Sequence, residues 1–258
     1  MERFLNKIIL GDSLEILKQI PDNSIDAVIT DPPYASGGRT LSEKIKTTSE
    51  KYEHGDNKIT HRPNFLGDTK DSRSWYHWCI LWINECYRTL KDNGYFLMFS
   101  DWRQLPTATD ILQMGELSWR GIIAWDKGLG SRAPHKGYFR HQCEYIIWGT
   151  KGTCKKAIHS GPYPGCFKFP VLQKDKFHLA GKPTALMEEL VKVVPENSII
   201  LDPFIGSGTT ALAAKNIILD PFIGSGTTAL AAKNQNRNFI GIEKVKTYYD
   251  IALNRLNI

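Results

Sequence analysis

Ile25-Asp26-Ala27-Val28-Ile29-Thr30-Asp31-Pro32-Pro33-Tyr34 is the stretch on which the reading of this chain turns. Its apolar run, rich in β-branched residues, suits a strand buried on both faces, as in a parallel sheet. Pro32-Pro33 must end that strand, because proline has no N–H to give to a ladder. Asp31 and Tyr34 are therefore expected at a strand's carboxyl end, the edge where open α/β sheets bind ligands. Taken alone, the stretch reads more readily as an ordinary strand end with a solvated acid and a surface tyrosine; a second motif reverses that preference.

A carboxylate beside a proline-fixed carbonyl suits a particular chemistry. An exocyclic amine on an aromatic base is a poor nucleophile, because its lone pair is delocalised into the ring. If Asp31 accepted one amine hydrogen and the Pro32 carbonyl the other, a pyramidal nitrogen with its lone pair exposed would be favoured. Hydrogen bonds to charged groups are worth about 1.5–3 kcal/mol each, and they accelerate a reaction where they tighten as charge develops. Tyr34 offers a face on which a base can stack for about 1–3 kcal/mol, comparable with the few kcal/mol that flipping a base from a duplex costs.

Near the other end the chain reads Ile217-Ile218-Leu219-Asp220-Pro221-Phe222-Ile223-Gly224-Ser225-Gly226-Thr227-Thr228, then Ala229-Leu230-Ala231-Ala232-Lys233. This is a strand, a glycine turn and a helix former in succession. Glycines let a backbone approach a ligand closely, and a helix N-terminus presents unsatisfied donors to it. Phe239-Ile240-Gly241-Ile242 then ends in Glu243, 17 residues after Gly226. An acid at about that offset suits a ribose hydroxyl pair. A P-loop is excluded because no Lys follows the second glycine.

Together, Asp31-Pro32-Pro33-Tyr34 and Asp220-Pro221-Phe222-Ile223-Gly224-Ser225-Gly226 resemble the S-adenosylmethionine-dependent amino-methyltransferases of DNA. The order, catalytic motif first and cofactor motif last, is similar to their permuted β class. His178-Leu179-Ala180-Gly181-Lys182-Pro183 resembles the family's Lys-Pro segment beside the cofactor, and Gly11-Asp12 a first strand end used there. The resemblance implies an α/β fold: a Rossmann-like sheet of about seven strands, mostly parallel with one antiparallel. It implies S-adenosyl-L-methionine over Phe222, Gly224, Gly226 and Thr227, its ribose on Glu243, with Asp12, Lys182 and Asp220 nearby. Asp31, Pro32, Pro33 and Tyr34 would hold the target base. The leading Asp points to adenine-N6; cytosine-N4 is the alternative, and an RNA substrate a further one.

Composition agrees without deciding. A chain of 258 residues can bury one large core, and a single domain is expected. A net charge of +6 is compatible with double-stranded DNA as partner. Five cysteines without a Cys-x-x-Cys pair indicate neither zinc nor a disulfide framework, so a reduced, cytoplasmic setting is expected. No apolar run is long enough to cross a bilayer.

In order, Lys7 to Leu10 reads as a strand and Asp12 with Glu15 as a capping box opening a helix from Ser13 to Ile20. Residues 35–73 are polar and aperiodic, and are read as a mobile flap over DNA. Trp75, Trp78, Cys79, Trp82, Ile83, Cys86 and Leu90 share one helical face that Asn93-Gly94 should stop; their spacing suits core packing rather than base stacking. A strand over Tyr95 to Phe99, a helix over Arg103 to Met114 and strands over Gly121 to Trp125 and Glu144 to Trp148 follow. The glycine-rich, basic stretch Asp126 to Gln142 suits phosphate contact, with Phe139 either wedge or core. Residues 151–177 fall where the family reads its target. That segment is short, so a short recognition sequence or a second subunit is expected, a homodimer, with a cognate restriction enzyme as a further partner. Thr184 to Val193 should form a helix.

Residues 199–216 and 217–234 are identical. A fold of this type is expected to have room for one such strand, so that one copy must be displaced. Copy two preserves the unit leading to Glu243 and is preferred; if copy one serves, Asp202, Phe204, Gly206 and Gly208 take the corresponding roles. A cofactor-binding protein inactivated by the repeat is the competing reading.

Overall fold

The computed structural model describes residues 7–34, 70–129, 136–154, 161–170, 182–195, 198–203, 217–220, 239–243 and 246. The expected flap, up to residue 69, lies outside them, as do Phe222, Gly224, Gly226 and Thr227 and their counterparts in the first copy.

The quoted apolar stretch forms β2 (Ile25–Thr30), flanked by β3 (Leu90–Ser100) and β7 (Ile199–Leu201), with both pairings parallel. Beyond β7 come β8 (Ile217–Asp220), β9 (Phe239–Glu243) and β1 (Lys7–Leu10), all parallel. On the other side β5 (Cys143–Thr150) lies antiparallel between β3 and β4 (Ser118–Asp126), and β6 (Cys166–Lys168) adds a short parallel edge to β4. The sheet order is β1-β9-β8-β7-β2-β3-β5-β4-β6, nine strands among the described residues. Only β5 runs against the rest. The expected sheet of about seven, with one antiparallel member, is recovered when β6 and one repeat strand are set aside.

Both faces of the central strands are covered, which is why they read as unbroken apolar runs rather than as alternation. Val28, Phe96, Met98 and Ile147 face one core with α1 (Ser13–Leu17), α2 (Ser72–Thr89) and α3 (Leu105–Met114). Ala27, Ile29, Leu97, Phe99 and Ile146 face the other, with Trp125, Phe167 and α4 (Thr184–Leu190), which continues as a 3-10 turn to Val193. With apolar residues on both faces, hydrophobicity alone cannot fix the register of β2. Asp26 does: its carboxylate takes the backbone N–H of Ile199 at 2.8 Å and Lys91 at 2.7 Å, so a slip would bury that charge unpaired.

Helix boundaries follow local chemistry. Asp71 caps α2 by accepting from the N–H groups of Arg73 and Ser74, and Trp75, Cys79, Trp82, Ile83 and Cys86 are buried. The tryptophan face is core, as its spacing requires. Two expectations change. The helix ends at Thr89 rather than at Asn93-Gly94, which instead makes an irregularity within β3, Asn93 having φ +66°. A Cβ on Gly94 would stand 2.8 Å from the Lys91 carbonyl of the same strand and 3.1 Å from that of Asp26 on β2, so the irregularity needs glycine there. Asp12 caps α1 through the N–H of Leu14 at 2.9 Å, while Glu15 pairs with Lys18 at 2.6 Å. The helix is also shorter than expected, ending at Leu17.

A further correction concerns the repeat. Neither copy is displaced: both supply strands, β7 and β8, lying side by side. It is copy one that pairs with β2, Ala27 with Ile200 and Val28 with Leu201.

All five cysteines are free, and Cys79 and Cys86 are buried. Among the described residues no helix is long and apolar enough to cross a membrane.

Candidate active site

Where β2 and β7 end, the sheet reverses: the chain after β2 builds β3, β5 and β4 on one side, while β8 and β9 lie on the other. A crevice at such a switch point is the usual ligand site of open α/β sheets. Acids line this edge. Asp31 follows β2, Asp202 follows β7, Asp101 follows β3 and Asp12 lies two residues beyond β1, while Asp220, Glu243 and Asp126 end β8, β9 and β4. Because β5 runs the other way, its Glu144 also starts at this edge.

Pro32-Pro33 turn the chain so that the Tyr34 hydroxyl donates to Asp31 Oδ1. Trp75, planted in the core by α2, donates its indole N–H to the Pro33 carbonyl at 2.7 Å. The turn is thus tied to the core one residue beyond the carbonyl that the amine chemistry needs. Lys182, just ahead of α4, places Nζ 2.5 Å from Asp31 Oδ2, with its side chain only 8% exposed. The same ammonium lies 5.4 Å from the Tyr34 ring centre and 5.1 Å from that of Phe99. Lys182, expected beside the cofactor, is thus paired with the Asp31 carboxylate.

Glu144 continues the chain of charges. Its Oε1 accepts from Lys127 Nζ at 2.9 Å, and its Oε2 stands 3.6 Å from Lys182 Nζ, beyond hydrogen-bond reach. Burial pushes the Asp31 carboxyl above its ordinary range, although Lys182 and Tyr34 pull the other way. Burial opposes the Lys182 ammonium, yet Asp31 and Glu144 together hold its pKa above the ordinary value. Burial would raise Glu144 too, but Lys182 and Lys127 outweigh it and keep that carboxyl low. Tyr34 is driven well up, first by burial and then by Asp31, so its hydroxyl keeps its proton.

Asp202 is 1% exposed just past the end of β7, the strand that pairs with β2. A buried acid on the strand next to the catalytic one fits a ligand presenting hydroxyl or amine donors. Asp220 ends β8, one strand further away, and Glu243 ends β9, two strands from β7. Asp12 holds the α1 cap. Among the described residues no group of three or more His, Cys, Asp or Glu could hold a metal ion.

The stretch between β4 and β5 rises from this edge. Its stem is closed by the Lys127 N–H on the Gln142 carbonyl at 2.9 Å and by Asp126, which accepts from the Gly128 N–H and the Gln142 amide. Leu129, Tyr138 and Phe139 are exposed on it, Phe139 at 94%, and His141 stacks on Trp102 at 4.9 Å. Phe139 is therefore not core. Sequence reasoning missed Glu144, Lys127 and Trp75 as parts of the site. The available signal was a lone acid opening the apolar run Glu144-Tyr145-Ile146-Ile147-Trp148, which a buried strand tolerates only with a partner.

Comparison with known proteins bears on this geometry directly. The chain is 28% identical over 277 residues to the Type II methyltransferase M.HinfI of Haemophilus influenzae, covering 98% of this chain and 68% of that one. The crystal structure of an M1.HpyAVI–SAM complex superposes with a TM-score of 0.58 at 26% identity, covering 98% and 99% of the two chains. The cytosine-N4-specific PvuII DNA methyltransferase shares the fold, with a TM-score of 0.62 at 16% identity over 96% of this chain and 85% of that one. Residues 25–165, 165–217 and 215–254 match the N6/N4 DNA methylase family, and the chain belongs to that family of DNA methyltransferases.

Proposed function

We propose that this enzyme methylates the exocyclic N6 amine of adenine within a short sequence of double-stranded DNA. The observation that carries the reading is the Asp31 carboxylate, held by Tyr34 and Lys182 at the end of β2, with the buried Asp202 at the end of the neighbouring β7. S-adenosyl-L-methionine supplies an electrophilic methyl on a sulfonium. The buried acid at the switch point suits that donor, and Asp202, with the glycine turn that follows it, would hold it.

Asp31 and the Pro32 carbonyl accept the two amine hydrogens, which localises the lone pair on nitrogen. As the N–C bond forms and the S–C bond breaks, positive charge grows on that nitrogen beside Asp31, so the carboxylate binds the transition state more tightly than the ground state. Asp31 is also placed to take the surplus proton. Tyr34 supports the base by stacking. Lys136, Arg140 and the exposed Tyr138 and Phe139 stand on the side from which a duplex would approach, and favour contact with phosphates and an unstacked step. The recognition segment is short, which favours a short target read by paired subunits; a cognate restriction enzyme would be the natural counterpart.

The test is incubation with methyl-labelled S-adenosylmethionine and unmethylated DNA, followed by digestion to nucleosides. Label in N6-methyladenine is expected. Label confined to cytosine would refute the adenine assignment, and label transferred to RNA in preference to DNA would refute the substrate.

A further inference from the structure

The geometry points to Lys182 as a displaceable plug on the catalytic carboxylate, with Glu144 as the receiver that takes its ammonium when the target base enters; Lys182 and Glu144 are thus positioning residues for methyl transfer. This inference rests on the reading of Asp31 as the group that holds the amine. Lys182 Nζ occupies Asp31 Oδ2 at 2.5 Å and stands over the Tyr34 ring at 5.4 Å. A base bound through its amine needs the same oxygen and the same ring. The ammonium must leave both.

The structure provides a destination. Glu144 Oε2 is buried, makes no hydrogen bond and lies 3.6 Å from Lys182 Nζ. A shift of about 0.7 Å brings that distance to the usual 2.9 Å of a charge-assisted bond, and a further swing of the ammonium about Glu144 Oε2 then carries it out of reach of Asp31. Glu144 itself cannot turn away, because Lys127 holds Oε1 at 2.9 Å. Buried carboxylates are rarely left half-satisfied without a reason. The receiver also keeps Lys182 paired after it moves, so displacement exchanges one carboxylate for another instead of stranding a buried cation.

The titratable and charged groups facing Asp31 are the neutral Tyr34 hydroxyl from its own turn, Lys182 from the segment before α4 and Glu144 from β5, with Lys127 behind Glu144 and Asp101 beyond Tyr34. Removing the Glu144 charge therefore moves the acid limb of the rate profile down, and removing Lys182 moves it up.

A double-mutant cycle on the full chain tests the plug. Glu144→Gln, Lys182→Met and the double variant are assayed by total label transferred to DNA, so that the rate is read whichever base accepts the methyl. Thermal melting and calorimetry with S-adenosylmethionine check folding and cofactor affinity. Glu144→Gln is expected to lower kcat at least tenfold on the alkaline plateau with cofactor affinity unchanged. In the Lys182→Met background the same change should cost less than twofold, since no ammonium needs a receiver. Equal losses in both backgrounds, or limbs that shift in the same direction, overturn the inference while leaving the methyltransferase reading intact. Should Glu144→Gln not fold, the limb of Lys182→Met alone decides, and an unmoved or lowered limb counts against the plug. A wild-type chain that transfers no label overturns both.

Discussion

Two identical segments supply two candidate cofactor acids, and substitution of one at a time separates them. Asp202 ends β7, which pairs with the catalytic strand; Asp220 ends β8, which does not. Strands lie about 4.8 Å apart, so the two acids stand one and two spacings from β2, about 4.8 and 9.6 Å. Methyl transfer needs the reacting atoms within about 3–3.5 Å of one another. A donor held from β8 would leave its methyl a full strand short of a base on Asp31. Asp202→Asn keeps the shape and removes the charge. One charge-assisted hydrogen bond is worth about 1.5–3 kcal/mol, a loss of about 10- to 150-fold in affinity for S-adenosylmethionine. Asp220→Asn should stay within about twofold of the parent. Isothermal titration calorimetry on the two variants reads the difference, whereas deletion cannot, because removing either copy yields the same polypeptide. A larger loss at Asp220 than at Asp202 would show that the crevice is not at β7.

Asp31→Ala should lower kcat by about 10²–10³, as loss of one preorganised electrostatic contact commonly does, with cofactor affinity held within about twofold; comparable turnover would count against the amine mechanism. Asp31 must be ionised to accept an amine hydrogen and its pKa is raised by burial, so kcat should fall away on the acid side at a pH above the ordinary aspartate value of 3.8; a limb at or below that value contradicts the assignment. Phe139→Ala should leave the melting temperature within about 1 °C, the ring being 94% exposed, and weaken DNA binding; a large drop in melting temperature would place the ring in packing instead. A chain with a single copy brings β9 next to the crevice strand, so Glu243 comes within reach of a cofactor ribose and affinity should tighten about tenfold; unchanged affinity means Glu243 plays no part in that grip.

The catalytic corner was legible because its signals are local. A β-branched run names a buried strand, two prolines end it, and the acid and the ring must then sit at its edge. The two-faced core was legible in the same way, from the unbroken apolar runs of β2, β3 and β5. Lys182 on Asp31 was not, since 151 residues separate them in sequence and no periodicity relates a loop lysine to a strand end. Glu144 was passed over because an acid at the start of a strand is commonplace on solvated edges, and only the antiparallel course of β5 brings it to the carboxyl edge of its neighbours. Asn93-Gly94 was misread for a related reason: a left-handed residue followed by glycine serves a helix end and a strand irregularity equally well.

The repeat was the hardest to foresee, and the reason is physical. Identical sequences bury identical side chains, so no preference for one copy can come from composition; only its connections distinguish it. Copy one follows α4 and its 3-10 turn after residues 194–198, a tether short enough to deliver Ile199 to β2, where Asp26 accepts its N–H. Yet neither copy is expelled, because the 18-residue period is not a bare strand. It carries a strand, its turn and a connection of the ten or more residues that a parallel neighbour requires. An open sheet has no closure condition to violate, so a whole strand-and-crossover module can be admitted with both its edges paired, by β7 on one side and β9 on the other. The expectation of room for a single copy treated the sheet as a fixed socket. What the duplication changes is position along the edge: it leaves the crevice between β7 and β2 and moves Glu243 one strand further from it.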